Sequence, residues 1–184
     1  MNLEKIKEGV NLILEGLGED PARPGLASTP ERVAGLYSEI FSGIAEDPTK
    51  IIKPISGERH HEMVLVKDLA FYSMCEHHLL PFMGKAHIAY IPSKGRIVGV
   101  GNLARVLESL ARRPQVQERL TTQITETIES SISPLGTMVV VAAEHLCLSM
   151  RGAKKEGSQV VTSAVRGVFR TNPSTREEML SLIK

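Results

Sequence analysis

The chain of 184 residues carries 22 lysine and arginine residues against 21 aspartate and glutamate residues, a formal net charge of +1 with neutral histidines. A general nucleic-acid-binding surface needs a large basic excess, so this near balance excludes that class and leaves only a local basic pocket for a small anion. Apolar residues make up 42% of the chain and charged residues 23%. Such proportions predict one globular domain, or a compact domain with a helical attachment.

The sequence also restricts where the protein is expected to work. No run of residues approaches the roughly 18 uncharged apolar residues of a membrane span. Charges at Glu4 and Lys5 fit the start of a helix better than a signal peptide, so we expect a cytoplasmic protein. In that reducing compartment Cys75 and Cys147 are not expected to form a disulfide, and two buried inert thiols are the alternative to a functional role.

Two amphipathic helices are predicted near the N-terminus. Apolar residues at spacings of three and four from Leu3 to Leu17 predict the first helix. Thr29 is a predicted N-cap, with Pro30 at the first helical position, and the second helix is expected to stop at Gly43.

The rest of the chain alternates between strand and helix patterns. The predicted elements are strands near 63–69 and at 85–91, helices at 100–112 and 114–132, strands at 137–148 and 158–169, and a last helix opened by a capping box at Ser174 and Glu177. Two hairpins around a helix pair predict an α+β fold, with an antiparallel four-stranded sheet and helices on one face. Pairing of its open edges between subunits predicts an oligomeric ring. We divide the chain into an N-terminal helical region, 1–55, and a second domain, 56–184.

Both cysteines lie beside histidines. Cys75 and His78 are three residues apart, which is the spacing of a Cys-x-x-His zinc half-site. His145 and Cys147 are two apart in a predicted strand, so their side chains are expected to share one face. Thiolate and imidazole ligands suit zinc better than magnesium or calcium. The alternative is a core cysteine and a polar loop, but the repeated pairing of cysteine with histidine favours a metal site.

Three protein ligands would leave a fourth metal position open, which is typical of a catalytic zinc site. His77 and His145 would then be placed for proton transfer, because an unperturbed imidazole titrates near pH 6.5.

Other segments have weaker signals for anion and base recognition. Residues 99–102 lead into a helix, whose N-terminus attracts phosphate, and Arg105 follows one turn later. Arg151 follows the predicted metal strand. Simple turns are the alternative for such glycines. Glu118, with Gln117 beside it, lies early in the next helix, where a carboxylate is usually a surface charge favoured by the helix dipole.

A series of short motifs runs through nearly the whole chain after the first helix. They are Thr29-Pro30-Glu31-Arg32-Val33, Cys75-Glu76-His77-His78, Ala89-Tyr90-Ile91-Pro92, the segment from Arg113 to Leu120, His145-Leu146-Cys147, Met150-Arg151-Gly152 and Val161-Thr162-Ser163. In this order the motifs resemble the GTP cyclohydrolase I family. The resemblance implies the tunnelling fold for the second domain and a toroidal homodecamer of two stacked pentamers, with active sites between subunits. It also implies opening of the imidazole ring of GTP at carbon 8, loss of formate and formation of 7,8-dihydroneopterin triphosphate.

The resemblance assigns the catalytic positions. Cys75, His78 and Cys147 match the zinc ligands of the family. His77 matches the proton donor near nitrogen 7 of the purine, and His145 matches the second catalytic histidine.

The resemblance also assigns substrate contacts. Glu118 matches the carboxylate that pairs with the guanine edge, with Gln117 beside it. Arg32, Arg105 and Arg151 match residues that hold the triphosphate, with Arg32 supplied by a neighbouring subunit. Arginine forks suit phosphate oxygens.

Gly101 and Asn102 depart from the family pattern, which usually has serine and lysine facing the triphosphate. Gly101 can still donate its backbone N–H, whereas Asn102 carries no charge. The loss of one charge-assisted contact costs about 1.5–3 kcal/mol, or roughly tenfold to a hundredfold in affinity. One alternative is therefore an enzyme for another guanine nucleotide or a pterin-like substrate. Another is a non-catalytic zinc and purine-binding scaffold, but a structural zinc takes four protein ligands and needs no spare histidines.

Overall fold

The computed structural model describes residues 1–184, except for the side chain of Ser56. The chain forms two compact units, Met1–Ser42 and Gly43–Lys184. The domain boundary suggested by the sequence, between residues 55 and 56, stays a prediction.

The first unit is a pair of helices, α1 (Leu3–Gly16) and α2 (Thr29–Ile40). An ion pair of 2.5 Å between Lys7 and Glu31 joins them. The predicted N-cap is displaced by one residue, because Thr29 is already helical and Ser28 caps α2 without a side-chain hydrogen bond. Pro30 lies in the first turn, where its missing N–H costs nothing.

The second unit contains all the strands and five further helices. Its strands are β1 (Pro54–Arg59), β2 (Val64–Cys75), β3 (Pro81–Ile91), β4 (Arg96–Val98), β5 (Pro114–Gln115), β6 (Gly136–His145) and β7 (Gln159–Gly167). Its helices are α3 (Val100–Ala111), α4 (Gln117–Ile132), α5 (Leu146–Ser149), α6 (Val168–Thr171) and α7 (Pro173–Leu182), and short 3-10 helices span Ser42–Ala45, Pro48–Lys50 and Ser93–Gly95. The last helix is capped by Asn172, two residues before the predicted Ser174. Across the residues that the structure describes, every helix is too short or too polar to cross a membrane.

The main sheet confirms the α+β class but not the predicted strand count. It has five strands in the order β5-β2-β3-β6-β7, and β1 pairs separately with β4. The additional strand is β5, which pairs parallel with the end of β2. We predicted a helix from Pro114, but this residue lies in β5 and α4 begins at Gln117. An edge strand tolerates a proline because one of its sides needs no N–H donor.

Helices cover both faces of this sheet, so the prediction of helices on one face is wrong. One core joins the sheet to α3 and α4, and its buried side chains include Ile88, Leu103 and Ile124. A second core on the opposite face joins Met138 to Phe169 of α6 and Met179 of α7. The two cores explain why β6 is apolar at nearly every position, since a strand buried on both faces cannot alternate with polar residues.

His87 is a titratable side chain held inside β3, with 8% of its surface exposed. The backbone N–H of Asp68 donates to His87 Nδ1 at 3.2 Å. Burial lowers the pKa of His87, assisted by Lys85 and Lys67 and opposed by the Asp68 carboxylate. The histidine is therefore held neutral, and protonation is easier in the unfolded chain.

We predict that this histidine makes the fold sensitive to acid. Its contribution is fully present above the unfolded pKa of about 6.5 and is lost as the pH falls below that value, because the unfolded state binds the extra proton. The midpoint of thermal unfolding should fall less between pH 7.5 and pH 5.5 in His87→Gln, which keeps an acceptor for Asp68. Equal pH dependence in both proteins would contradict this assignment.

Candidate active site

A tight turn between β2 and β3 carries the first two predicted metal ligands. Leu79 has a left-handed backbone with φ of 51°. Its N–H donates to the Cys75 carbonyl at 2.8 Å, and the Cys75 N–H donates to the Leu80 carbonyl at 2.9 Å. This closure brings His78 Nδ1 to 3.8 Å from Cys75 Sγ. The spacing of three residues therefore brings the two side chains together, as the sequence predicts.

The third predicted ligand, Cys147, lies in a different local structure from the one predicted. We expected one strand over 137–148, but β6 ends at His145 and Cys147 lies in the short helix α5. The argument that strand alternation places His145 and Cys147 on one face is therefore wrong. The apolar run continues through Leu146 and Leu148, and an apolar run without periodicity does not show where a strand becomes a helix.

The structure nevertheless brings the three residues together. The ligand atoms of Cys75, His78 and Cys147 all lie within 4.8 Å of one another. A tetrahedral zinc site, with bonds of about 2.3 Å to sulfur and about 2.1 Å to nitrogen, separates such ligands by roughly 3.6 Å. The three side chains therefore fit a metal ion of that size after small movements. Cys75 is buried, Cys147 is half-buried and His78 is exposed, so the cluster has one side open to solvent.

The Cys147 thiol is influenced by its neighbours. Burial raises the pKa of the Cys147 thiol, and the neighbouring Cys75 raises it further, while the Arg151 guanidinium acts in the opposite direction. Arg151 also lies beside the third ligand, with its Nη1 2.9 Å from His78 Nε2. A predicted phosphate-binding residue is thus adjacent to the metal cluster.

His145, one of the two predicted catalytic histidines, is held by two side-chain contacts. Its ring stacks on Phe82, its cross-strand partner, at 4.6 Å and an interplanar angle of 4°. Its Nε2 lies 2.7 Å from Gln117 Oε1. Burial lowers the pKa of His145, and the Glu118 carboxylate opposes that effect. The position of the His145 ring is therefore fixed, and burial favours its neutral form.

His77 has a different environment. Its side chain is 65% exposed, and its Nε2 lies 4.0 Å from Glu76 Oε1. The His77 and His78 rings are perpendicular, with centroids 6.2 Å apart. His77 is thus a solvent-exposed side chain in the turn that carries two of the predicted metal ligands.

The predicted substrate residues are distributed over several elements. Glu118 is exposed at the start of α4, whereas its neighbour Gln117 is 1% exposed. In the first turns of α3, Gly101 and Arg105 are exposed and Asn102 is half-buried. Arg32 is exposed on α2, in the first unit.

A group of polar side chains that the sequence does not reveal holds the turn after Cys75 in place. Arg119 of α4 forms an ion pair with Glu76 and lowers the pKa of the Glu76 carboxyl. The same guanidinium donates from Nε to Gln115 Oε1 at 2.9 Å. The Glu76 N–H donates to the Gln115 carbonyl at 2.9 Å. The pairing of β2 with β5 creates these contacts, so only a correct prediction of β5 could have indicated them.

The sequence also does not reveal that Phe82 stacks on His145. It is an apolar residue near the start of β3, and its sequence environment resembles that of any core phenylalanine. Its role depends on the register that places it opposite His145.

Comparison with known proteins agrees with the motifs. The family model of GTP cyclohydrolase I matches residues 6–184. A GTP cyclohydrolase 1 of Pelotomaculum thermopropionicum is 59% identical over 180 residues, which cover 98% of this chain and 96% of the relative. A GTP cyclohydrolase 1 of Bacillus subtilis is 55% identical over 184 residues, which cover 100% of this chain and 97% of the relative.

A solved structure, an archaeosine synthase QueF-Like protein in the apo form, covers 59% of this chain and 97% of its own, with 17% identity and a TM-score of 0.47. That likeness is too low to support an argument. The family match and the full-length relatives confirm the resemblance that the motifs indicated, and the chain belongs to the GTP cyclohydrolase I family.

Proposed function

We propose that this protein is a zinc-dependent GTP cyclohydrolase, which opens the imidazole ring of GTP and produces 7,8-dihydroneopterin triphosphate and formate. The observation that carries the proposal is the convergence of Cys75, His78 and Cys147, from two distant segments, to within 4.8 Å of one another. Relatives named GTP cyclohydrolase 1 match this chain over its whole length, which supports the same activity here.

Zinc is the metal that this donor set favours. Two thiolates and one imidazole are soft and borderline ligands, which zinc accepts and magnesium or calcium do not. When bound at such a site, zinc supplies Lewis-acid activation of water for attack on carbon 8 of the purine. The exposed side of the cluster, at His78, leaves room for substrate.

The two spare histidines would move protons. His77 is exposed in the turn that carries two of the proposed metal ligands, and it would act as the proton donor to nitrogen 7 of the bound purine. His145, fixed by Phe82 and Gln117, would act as the second proton-transfer group. Burial lowers the pKa of His145, and the Glu118 carboxylate opposes that effect. The exposed carboxylate of Glu118 would accept two N–H groups of guanine, a donor pair that adenine lacks.

The triphosphate would lie along arginine side chains. Arg151 is next to His78 and would hold phosphate close to the metal. Arg105 and the backbone N–H of Gly101 would contribute from α3. Arg32 would come from a neighbouring subunit, as in the family pattern.

We propose that the protein works in the cytoplasm, in folate or pterin synthesis. We further propose that the second unit has the tunnelling fold and that the chains assemble into a toroidal homodecamer of two stacked pentamers. Its support is the unprotected edge of the main sheet. The edge strand β7 exposes 63% of Val161, and β5 at the other edge has two residues. Pairing between subunits would cover both edges.

A second candidate substrate follows from Asn102. Without the lysine charge, the triphosphate pocket is weaker, and a guanine nucleotide with fewer phosphates becomes a candidate.

Direct incubation tests the proposal. The zinc-loaded protein is mixed with GTP, GDP, GMP and dGTP in parallel, and formate and pterin products are followed by mass spectrometry. Turnover of GTP to dihydroneopterin triphosphate is expected. Turnover of a different nucleotide alone would support the second candidate, and zinc-loaded protein without turnover of any of them would contradict both.

We predict that Cys147→Ser loses zinc and ring-opening activity while the oligomer remains assembled. The serine hydroxyl is a poor zinc ligand compared with a thiolate. Metal content is measured by plasma mass spectrometry and assembly by light scattering. Ser149→Ala is the matched control on α5, because it removes only a hydrogen bond to the His145 carbonyl. Full zinc content and activity in Cys147→Ser would show that the ligand assignment is wrong.

We also predict that Asn102→Lys strengthens GTP binding. The added ammonium restores a charge-assisted phosphate contact, so the Kd of GTP should fall by roughly tenfold to a hundredfold. Asn102→Gln is the matched control, since it lengthens the side chain without a charge. Equal affinities of the lysine variant and the parent protein would contradict a phosphate role for this position.

A further inference from the structure

We infer that Gln117 is a positioning residue that fixes one neutral tautomer of His145, with the proton on Nε2 and the lone pair on Nδ1. This inference rests on the proposed function for its catalytic meaning, but its geometry does not depend on the substrate. It assigns Gln117 a role other than the substrate contact expected from the sequence.

The orientation of the Gln117 amide is determined by two backbone carbonyls. Its Nε2 lies 3.0 Å from the carbonyl oxygen of Val141 and 2.9 Å from that of Val160. Both neighbours only accept hydrogen bonds, so the group facing them must be the NH2 end. The reversed amide would set its oxygen against two carbonyl oxygens at a site that is 1% exposed. Carbonyl oxygens buried against another oxygen have no donor and repel it, so the reversed orientation is excluded.

Two threonine hydroxyls complete the same arrangement. Thr121 Oγ1 donates to the Gln117 backbone carbonyl at 2.7 Å, which uses its only proton. The contact of 2.6 Å between the two hydroxyls must then be a donation from Thr162 to Thr121. Thr162 Oγ1 is left as an acceptor 3.1 Å from Gln117 Nε2. The two amide protons therefore face three acceptors, one of which shares a proton, and all three contacts place the NH2 group at this end of the amide.

The remaining end of the amide faces His145. Gln117 Oε1 can only accept, and it lies 2.7 Å from His145 Nε2. Nε2 must therefore carry a proton, which leaves the lone pair of the neutral ring on Nδ1. Rotation of the ring is opposed by the parallel stack on Phe82 at 4.6 Å. The tautomer and the ring plane are thus set by different contacts.

This arrangement decides what His145 can do. With Nε2 engaged, the nitrogen available for proton transfer is Nδ1, and it begins as an acceptor rather than a donor. His77, which is exposed and has no such constraint on its tautomer among the contacts of the described residues, is the complementary donor. Both ends of the Gln117 amide are occupied inside the protein, so recognition of guanine is left to Glu118.

The tautomer can be measured without turnover. The full-length, zinc-loaded protein is labelled with 15N-histidine, and solid-state NMR is recorded on sedimented protein well above the ordinary histidine pKa. The chain has 6 histidines, so His145→Asn identifies the signal of interest by its disappearance. We expect a protonated Nε2 and an unprotonated Nδ1. A proton on Nδ1, or an equal mixture of tautomers, would overturn the inference whatever the substrate is.

Variant kinetics supply a second, independent readout. In Gln117→Leu we expect kcat for GTP to fall by roughly tenfold to a hundredfold, the range for loss of a group that orients a catalytic residue, with KM changed by less than about twofold. An increase in KM at unchanged kcat would instead identify Gln117 as a substrate contact.

Thr125→Val is the matched control for the loss of a buried polar group from α4. Thr125 is fully buried, and its hydroxyl donates to the Thr121 carbonyl at 3.0 Å. It lies on the same helix as Gln117, two turns later. Its substitution should lower thermal stability without changing kcat. If Thr125→Val reduces kcat as strongly as Gln117→Leu, the effect is one of helix stability and the inference fails.

Discussion

The register of β3 against β6 sets the positions on which the rest of the site depends. It places Phe82 opposite His145 at the end of the sheet where the turn after β2 and the start of α5 also lie. A shift of one residue would exchange the two faces of β6 and move the third ligand away from Cys75. Such a shift is strongly opposed here, because β6 is buried on both faces and each face fits a different core. The packing of the sheet interior is therefore what gives the metal cluster its geometry.

Much of this site could be predicted from local sequence. The predictions that failed did so for physical reasons. Cys75 and His78 lie close together as predicted, because a turn of three residues brings its own ends together without long-range information. The grouping with Cys147 is also correct, although the strand argument for it is wrong. An uninterrupted apolar run does not reveal that β6 ends at His145. The α+β class follows from element order, whereas β5, with two residues, is too short to have a sequence pattern.

Polar contacts between residues far apart along the chain could not be predicted from the sequence. Gln117 has no pattern that separates a buried amide from an exposed one at the start of a helix, and its partners come from strands far along the chain. Arg119 and Glu76 likewise meet only because β2 and β5 pair. Side chains of this kind hold His145 and the turn after β2 in place, and their contacts can be recognised only once strand order and register are known. The reactive residues themselves are easier to recognise, because thiols and imidazoles are few in this chain.

The separation of the ligands along the chain has a consequence for folding. Cys75 ends one strand and Cys147 follows another, about seventy residues later, so a metal bound by both acts as a cross-link that closes a long loop. Such a closure reduces the conformational freedom of the unfolded chain by more than a short loop would. The ion would thus hold the two halves of the sheet domain to each other in addition to its chemistry. Metal supply would then set how long the folded protein survives as well as how fast it works.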